Sequence, residues 1–332
     1  TNSNGIWSNN PAELRINVVA PFYRQRFFLF VMLGLVLVLT GLFFEFRTRT
    51  LRRSNRILRE KEVAAKEVLR QRNLLGRRNK NIEDSLKYAH RIQRAMFTTT
   101  REISSLFSEN FVLQLPKDIV SGDFYWAKKI RNRIYLAAVD CTGHGVPGAF
   151  MSLIGTELFR QIVAGDEVQD PARVLNELNH NFNAIFGEID DIALRDGMDL
   201  SLCVFNTETR SLDFAGAFNP VYIVRNNEII EIKGDRIMVG PSAGFRQPDF
   251  TTHHIDLEQD DVIYLFSDGY ADQFGGPEGK KFKYRRFRHL LLSLHHLPMQ
   301  QQQKALYDSI REWRGETDQV DDILVIGVKP PW

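Results

Sequence analysis

From residue 27 to 44 the chain reads FFLFVMLGLVLVLTGLFF, eighteen residues without a charge. No other stretch limits the fold as tightly. A helix rises about 1.5 Å per residue, so the run nearly matches a hydrocarbon core of about 30 Å. Phe46 extends it, with Glu45 at the interface. The run is too long for a signal-peptide core, and no small-residue cleavage site follows. The competing reading is a helix buried in a globular core. Arg47, Arg49, Arg52 and Arg53 follow at once, while Arg24 and Arg26 precede. This bias puts the C-terminal side in the cytoplasm. The sequence therefore predicts a single-pass helix over 23–46 in the inner (cytoplasmic) membrane, with Phe22, Tyr23 and Phe43 as interface aromatics.

Residues 1–22 begin at Thr1 and read as a turn (4–8), a strand (14–19) and a stop at Pro21. They look like the tail of an extracytoplasmic β domain, the alternative being a short polar leader. Downstream, 47–97 is a helical linker with no proline and one glycine, Gly76, a candidate hinge. Leu51, Leu58, Ala65 and Leu86 fall in one heptad position, and Val68, Leu75, Ile82, Ala89 and Met96 in the other. Ser54, Lys61, Arg72, Asn79 and Gln93 interrupt the seam. An imperfect seam suits a parallel dimeric coiled coil that shifts or rotates, and so predicts a homodimer. Residues 47–94 also hold sixteen Lys or Arg against five Asp or Glu. The second reading is thus a single solvated helix with a basic face near anionic lipid.

The rest, 98–332, is net acidic although the whole chain carries +2. It shows no basic, aromatic-rich groove signal for a nucleic-acid partner. Its two cysteines, Cys141 and Cys203, lie in or beside apolar runs and read as reduced packing residues. Strands are expected at 111–115, 122–129, 133–140, 201–206, 211–217, 221–225, 229–233, 251–256, 262–266 and 323–329. Helices are expected at 147–164, 170–187, 287–296 and 299–314. Adjacent strands joined by tight turns, with segregated helices, indicate an α+β fold. Four acidic segments stand out: Ser121-Gly122-Asp123, Asp140-Cys141-Thr142-Gly143-His144-Gly145, Ser267-Asp268-Gly269 and Asp321-Asp322. Alone, an Asp-Gly after a strand is usually a turn. Several carboxylates fixed at strand tips and converging would instead make an all-oxygen site of the kind Mg²⁺ or Mn²⁺ prefers, able to activate water against phosphorus.

Taken together, these segments resemble the PPM family of metal-dependent Ser/Thr phosphatases in its SpoIIE-type bacterial branch. The likeness runs from about 111 to 329 and includes Pro116-Lys117-Asp118-Ile119-Val120-Ser121-Gly122-Asp123, Phe214-Ala215-Gly216-Ala217, Asn219-Pro220 and Gln319-Val320-Asp321-Asp322. It implies two stacked antiparallel sheets flanked by helices over 98–332, and two ions, Mn²⁺ or Mg²⁺. Asp123, Asp140, Asp268 and Asp321 match ligand positions. Cys141 matches a position that offers its backbone carbonyl, and Asp322 one beside the ligands. The implied reaction is attack of a metal-activated water on a phosphoserine or phosphothreonine of a protein. The implied substrate is a phosphorylated STAS-domain anti-sigma antagonist, with control by an outside signal through the linker helices. His144 reads either as the general acid for the leaving alkoxide or as a turn histidine. Type-2C phosphatases grip phosphate with an Arg near the first ligand; that Arg is missing, and Lys117 is the nearest cation. Asp199 reads as a ligand for a third metal or as a turn residue. Residues 234–236 and 240–245 resemble a segment that shapes substrate access, and 275–283 reads as a basic flap beside Asp268. The rival from another class is a catalytically silent partner-binding scaffold.

Overall fold

Strand β3 (Arg133–Cys141) is buried from Ile134 to Val139, yet it serves two different cores. Ile134, Leu136 and Ala138 pack into a cluster with Leu324 and Ile326. Tyr135, Ala137 and Val139 pack on the opposite face with Leu158, Phe159 and Leu178. Side chains alternate along a strand, so covering both faces turns the sequence into an unbroken apolar run.

The computed structural model describes residues 15–18, 21–24, 26–164, 169–186, 196–240 and 248–332. It divides into two units, Thr1–Asn79 and Lys80–Trp332. Residues 15–18 have no regular structure, and most of the predicted β tail lies outside the described residues. One helix, α1 (Arg26–Met96), covers both the apolar run and the linker. By length and composition alone its first part is long and apolar enough to cross a membrane, with a mean hydropathy of 2.8 over eighteen residues. Exposed Glu–Lys and Glu–Arg pairs four residues apart, such as Glu62–Lys66 at 2.7 Å and Arg56–Glu60 at 2.9 Å, support its polar stretch.

In the second unit, α2 (Thr100–Leu106) comes first, then β1 (Asn110–Leu115), β2 (Phe124–Ile130), β3, α3 (Gly145–Ile162) and α4 (Pro171–Phe186). Strands β4 (Met198–Asn206), β5 (Ser211–Ala217), β6 (Val221–Arg225), β7 (Glu228–Ile232), β8 (His253–Asp256) and β9 (Val262–Phe266) follow. The short α5 (Gly269–Asp272), the ribbon β10 (Phe274–Gly275) and β11 (Lys280–Lys281), α6 (Tyr284–Leu294), α7 (Met299–Arg314) and β12 (Ile323–Val328) complete it. Two five-stranded antiparallel sheets have the orders β1-β12-β9-β6-β7 and β2-β3-β4-β5-β8.

Leu136, Phe205 and Phe214 of one sheet share a core with Ile223, Leu265 and Ile326 of the other. The outer faces are covered by α3 and α4 on one side and by α6 and α7 on the other. This is the two-sheet α+β architecture expected. Helix α2 was not anticipated. Seven residues carry little periodic signal, and its mark is a capping box in which Thr99 and Glu102 cap each other's backbone amides.

Leu136 is 0 % exposed at the centre of the inter-sheet layer. Leu136→Ala is expected to cost about 3 kcal/mol, read as a lower urea midpoint at unchanged slope.

Candidate active site

Each acidic segment sits where a strand leaves its sheet. Asp123 directly precedes β2, and Asp140 is the penultimate residue of β3. Asp199, near the start of β4, is the register partner of Asp140. From the other sheet, Asp268 follows β9 at the N-cap of α5, and Asp321-Asp322 directly precede β12. The Ser267 amide donates to the Leu324 carbonyl (3.0 Å), and the Leu324 amide donates to the Ser267 hydroxyl (3.0 Å), locking the last two tips side by side. A Cβ on Gly269 would overlap the carbonyl oxygen of Asp322, so only glycine permits this approach.

The ends of the two sheets meet around these carboxylates. Asp140 and Asp268 stand near enough for the charge of Asp268 to raise Asp140. Like charges so placed favour a proton or a cation between them. Asp123 is 2 % exposed; its Oδ2 and the Oδ1 of Asp199 are buried without a partner. Burial, and then the charge of Asp140, hold Asp123 well above the usual carboxylate range. Burial, then Asp268 and Asp321, do the same to Asp140. Asp268 is pushed up to about 6 by burial and then by Asp321. Asp199 reaches about 6 by burial and then by Asp268.

Crowded hard oxygens, two of them orphaned, fit Mg²⁺ or Mn²⁺ in chemistry. Among the described residues no three His, Cys, Asp or Glu side chains already stand in a geometry that could hold an ion. A cation would have to draw them together.

Asp322 differs from its neighbour. Its two oxygens accept the backbone amides of Lys117 and Gly122, each at 2.7 Å, and so pin the loop that delivers Asp123. Lys117 donates its Nζ to the Val320 carbonyl (2.8 Å), which commits it to the same loop closure. Cys141 buries its thiol, which burial and then Asp140 push up. His144 lies between Gly143 (φ 84°) and Gly145 (φ 67°), a left-handed turn that glycines tolerate, and its Nδ1 is 2.9 Å from Asp118 Oδ2. Thr142 and Gly197 bind each other through Oγ1 and both backbones, joining the loop after Asp140 to the one before Asp199.

Sequence reasoning missed Gln93. This α1 residue is 2 % exposed; its Nε2 donates to Ser121 O (2.8 Å) and Ser152 Oγ (3.0 Å), while its Oε1 accepts the Ser121 amide (3.2 Å). Its signal was a glutamine seven residues after Leu86, in a heptad position that Arg72 and Asn79 also interrupt. Of the predicted access segment 240–245, residues 241–245 lie outside the described residues.

The sequence model of the family described as Stage II sporulation protein E (SpoIIE) matches residues 131–331, more than half of the chain. The chain belongs to the SpoIIE family. Among solved structures, it is similar to the SiaA-PP2C domain of Pseudomonas aeruginosa, with 33% identity and a TM-score of 0.69 over 76% of this chain and 98% of that one. The PP2C domain with a regulatory fragment of SpoIIE from Bacillus subtilis shares the fold at 18% identity and a TM-score of 0.54, over 67% and 61% of the two chains. Among curated proteins, phosphoserine phosphatase RsbU of Bacillus subtilis (strain 168) is 25% identical over 170 residues, which is 48% of this chain. The match covers only 45% of RsbU, less than half of that relative's length.

Asp199 and Asp268, both raised to about 6, make the cation-free fold pH-sensitive. A carboxyl raised on folding contributes stability that is present below its unfolded pKa near 3.8 and lost as pH rises through the folded value. In EDTA the melting temperature should therefore fall between about pH 4 and about pH 6–7. Mn²⁺ at pH 7 should restore it, and a thermal scan at each pH checks both.

Proposed function

We propose that this chain is a membrane-anchored phosphoserine/phosphothreonine protein phosphatase whose cleft works with two divalent cations. One observation carries the reading: five carboxylates from both sheets crowd one cleft, with buried oxygens of Asp123 and Asp199 left without partners. Asp123, Asp140, Asp268, Asp321 and the Cys141 carbonyl would hold the ions, and Asp199 is placed to join a further one. Bound there, Mn²⁺ or Mg²⁺ supplies Lewis acidity that lowers the pKa of water and offsets phosphoryl charge.

The chain's own groups do the rest. Asp322 holds the Lys117–Gly122 loop through two amides and thereby sets the position of Asp123. With Nδ1 engaged by Asp118, the Nε2 of His144 is the ring nitrogen left to hand a proton to the departing serine or threonine oxygen. Lys117, tied to Val320, serves loop closure rather than phosphate binding. No covalent intermediate is required, which agrees with the burial of the Cys141 thiol and with Ser267 being engaged by Leu324.

Control through α1 follows from Gln93, which binds both backbone groups of Ser121, two residues before Asp123. A change in helix packing that withdraws Gln93 would release Ser121 and Ser152 together. The polypeptide substrate class follows from the family resemblance of the sequence: a phosphorylated STAS-domain protein is the partner proposed, with the helical linker joining two copies and the catalytic unit in the cytoplasm.

The test is phosphate release from phosphoserine and phosphothreonine peptides and a phosphorylated STAS protein, with Mn²⁺, Mg²⁺ or EDTA. Asp140→Asn and Asp268→Asn should each fall to the level of the EDTA control while staying folded by circular dichroism. Turnover unchanged in either would remove the metal assignment. No release from any substrate by the wild-type chain would leave the scaffold reading. Gln93→Ala should raise the Mn²⁺ concentration for half-maximal release about tenfold, measured by metal titration.

A further inference from the structure

A cavity of about 600 Å³ lies beside the acidic cleft, within the range of about 300–1,000 Å³ common to ligand sites. Its lining is cationic: Lys280, Lys281, Lys283, Arg285, Arg286 and His289 surround an apolar wall made by Trp313. The acid in the lining, Glu278, is paired with Lys280. The Arg286 guanidinium stacks over the half-buried Trp313 ring at 4.2 Å, and Gly276 and Phe282 pack against it, which holds the ring in place. The cavity also meets the start of α6. That helix has Lys283 at its N-cap, no side chain capping it and no acid in its first turn, so its positive end adds to the field. Lys283 stands at φ 73° and ψ 146°, a backbone state that side chains larger than glycine rarely adopt.

A basic surface is ordinarily a solvated face. Two observations argue otherwise. Outside 47–94 the chain is net acidic, so a cluster of five Lys or Arg runs against its surroundings. The cluster is also wired to the catalytic cleft. Lys281 Nζ holds Asp272 Oδ2 (2.6 Å), and the Asp272 amide donates to the Asp268 carbonyl (2.9 Å), placing the cavity one helical turn from Asp268.

We propose that this cavity docks an acidic segment of the same phosphoprotein whose phosphoester enters the cleft. The inference rests on the phosphatase reading and adds its specificity: acidic residues near the phosphosite settle among the cations, and an apolar side chain covers Trp313. Aromatic and Arg groups together anchor peptides well. Docking of this kind acts on substrate capture, not on the bond broken, and weakens with salt.

The experiment uses the full chain in detergent micelles and two phosphothreonine peptides that differ only in Glu or Gln flanks, with p-nitrophenyl phosphate as a substrate too small to reach the cavity. Binding of the unphosphorylated, fluorescently labelled peptides is read in parallel by anisotropy. The Glu peptide should show a KM about tenfold below the Gln peptide at low salt, with a matching difference in anisotropy. K283E/R285E, and the milder K283Q/R285Q, should erase both differences and leave hydrolysis of the small ester unchanged. Equal KM and equal binding of the two peptides in the wild type, or a preference that survives both variants, overturns the proposal. If neither peptide nor ester is hydrolysed, the phosphatase reading fails, and anisotropy alone decides the cavity.

Discussion

Like charges forced together at the meeting point of two sheets shape everything around them. Asp123, Asp140, Asp199, Asp268 and Asp321 arrive from strands that are buried on both faces and cannot slide apart. Their repulsion cannot relax by movement, so it is relieved by protons held on Asp123 and Asp140 or by a cation. The surrounding bonds hold the tips in place: the two between Ser267 and Leu324, and the two backbone amides that Asp322 accepts. A rigid double sheet keeps these carboxylates crowded, where a softer scaffold would let them part.

The two adjacent aspartates before β12 divide the labour. Asp321 adds its charge to Asp140 and Asp268. Asp322 spends both oxygens on backbone amides over two hundred residues away in sequence. The same carboxylate chemistry thus serves as cleft and as brace, and which is which depends on the direction each side chain takes. Gln93 adds a brace of a different kind, since it belongs to a helix whose upstream part is exposed and apolar.

Much of this was legible in the sequence. Strands covered on both faces produce unbroken apolar runs, so β3, β9 and β12 could be read, and with them the aspartates at their tips. Edges were blurred where burial is partial: β7 and β8 are half exposed, and α6 begins at Tyr284 rather than 287 because its first turn, rich in arginine, carries no apolar stripe. The separate duty of Asp322 could not be read, because two neighbouring aspartates look alike until the backbone is placed. Gln93 looked like a flaw in a hydrophobic seam. Its meaning depends on Ser121 and Ser152, partners 28 and 59 residues away.

Cys141 stands next to a residue of the acidic cleft, yet its sulfur is sealed from it. Burial and the neighbouring carboxylates keep the thiol protonated, and Cys203 is held so by burial alone. Oxidants attack thiolates, not buried thiols. In the proposed centre the ligands are oxygens and both thiols are buried, so peroxide finds no thiolate there. A phosphatase of the proposed kind would keep turning over under oxidative conditions that silence an enzyme dependent on a sulfur nucleophile.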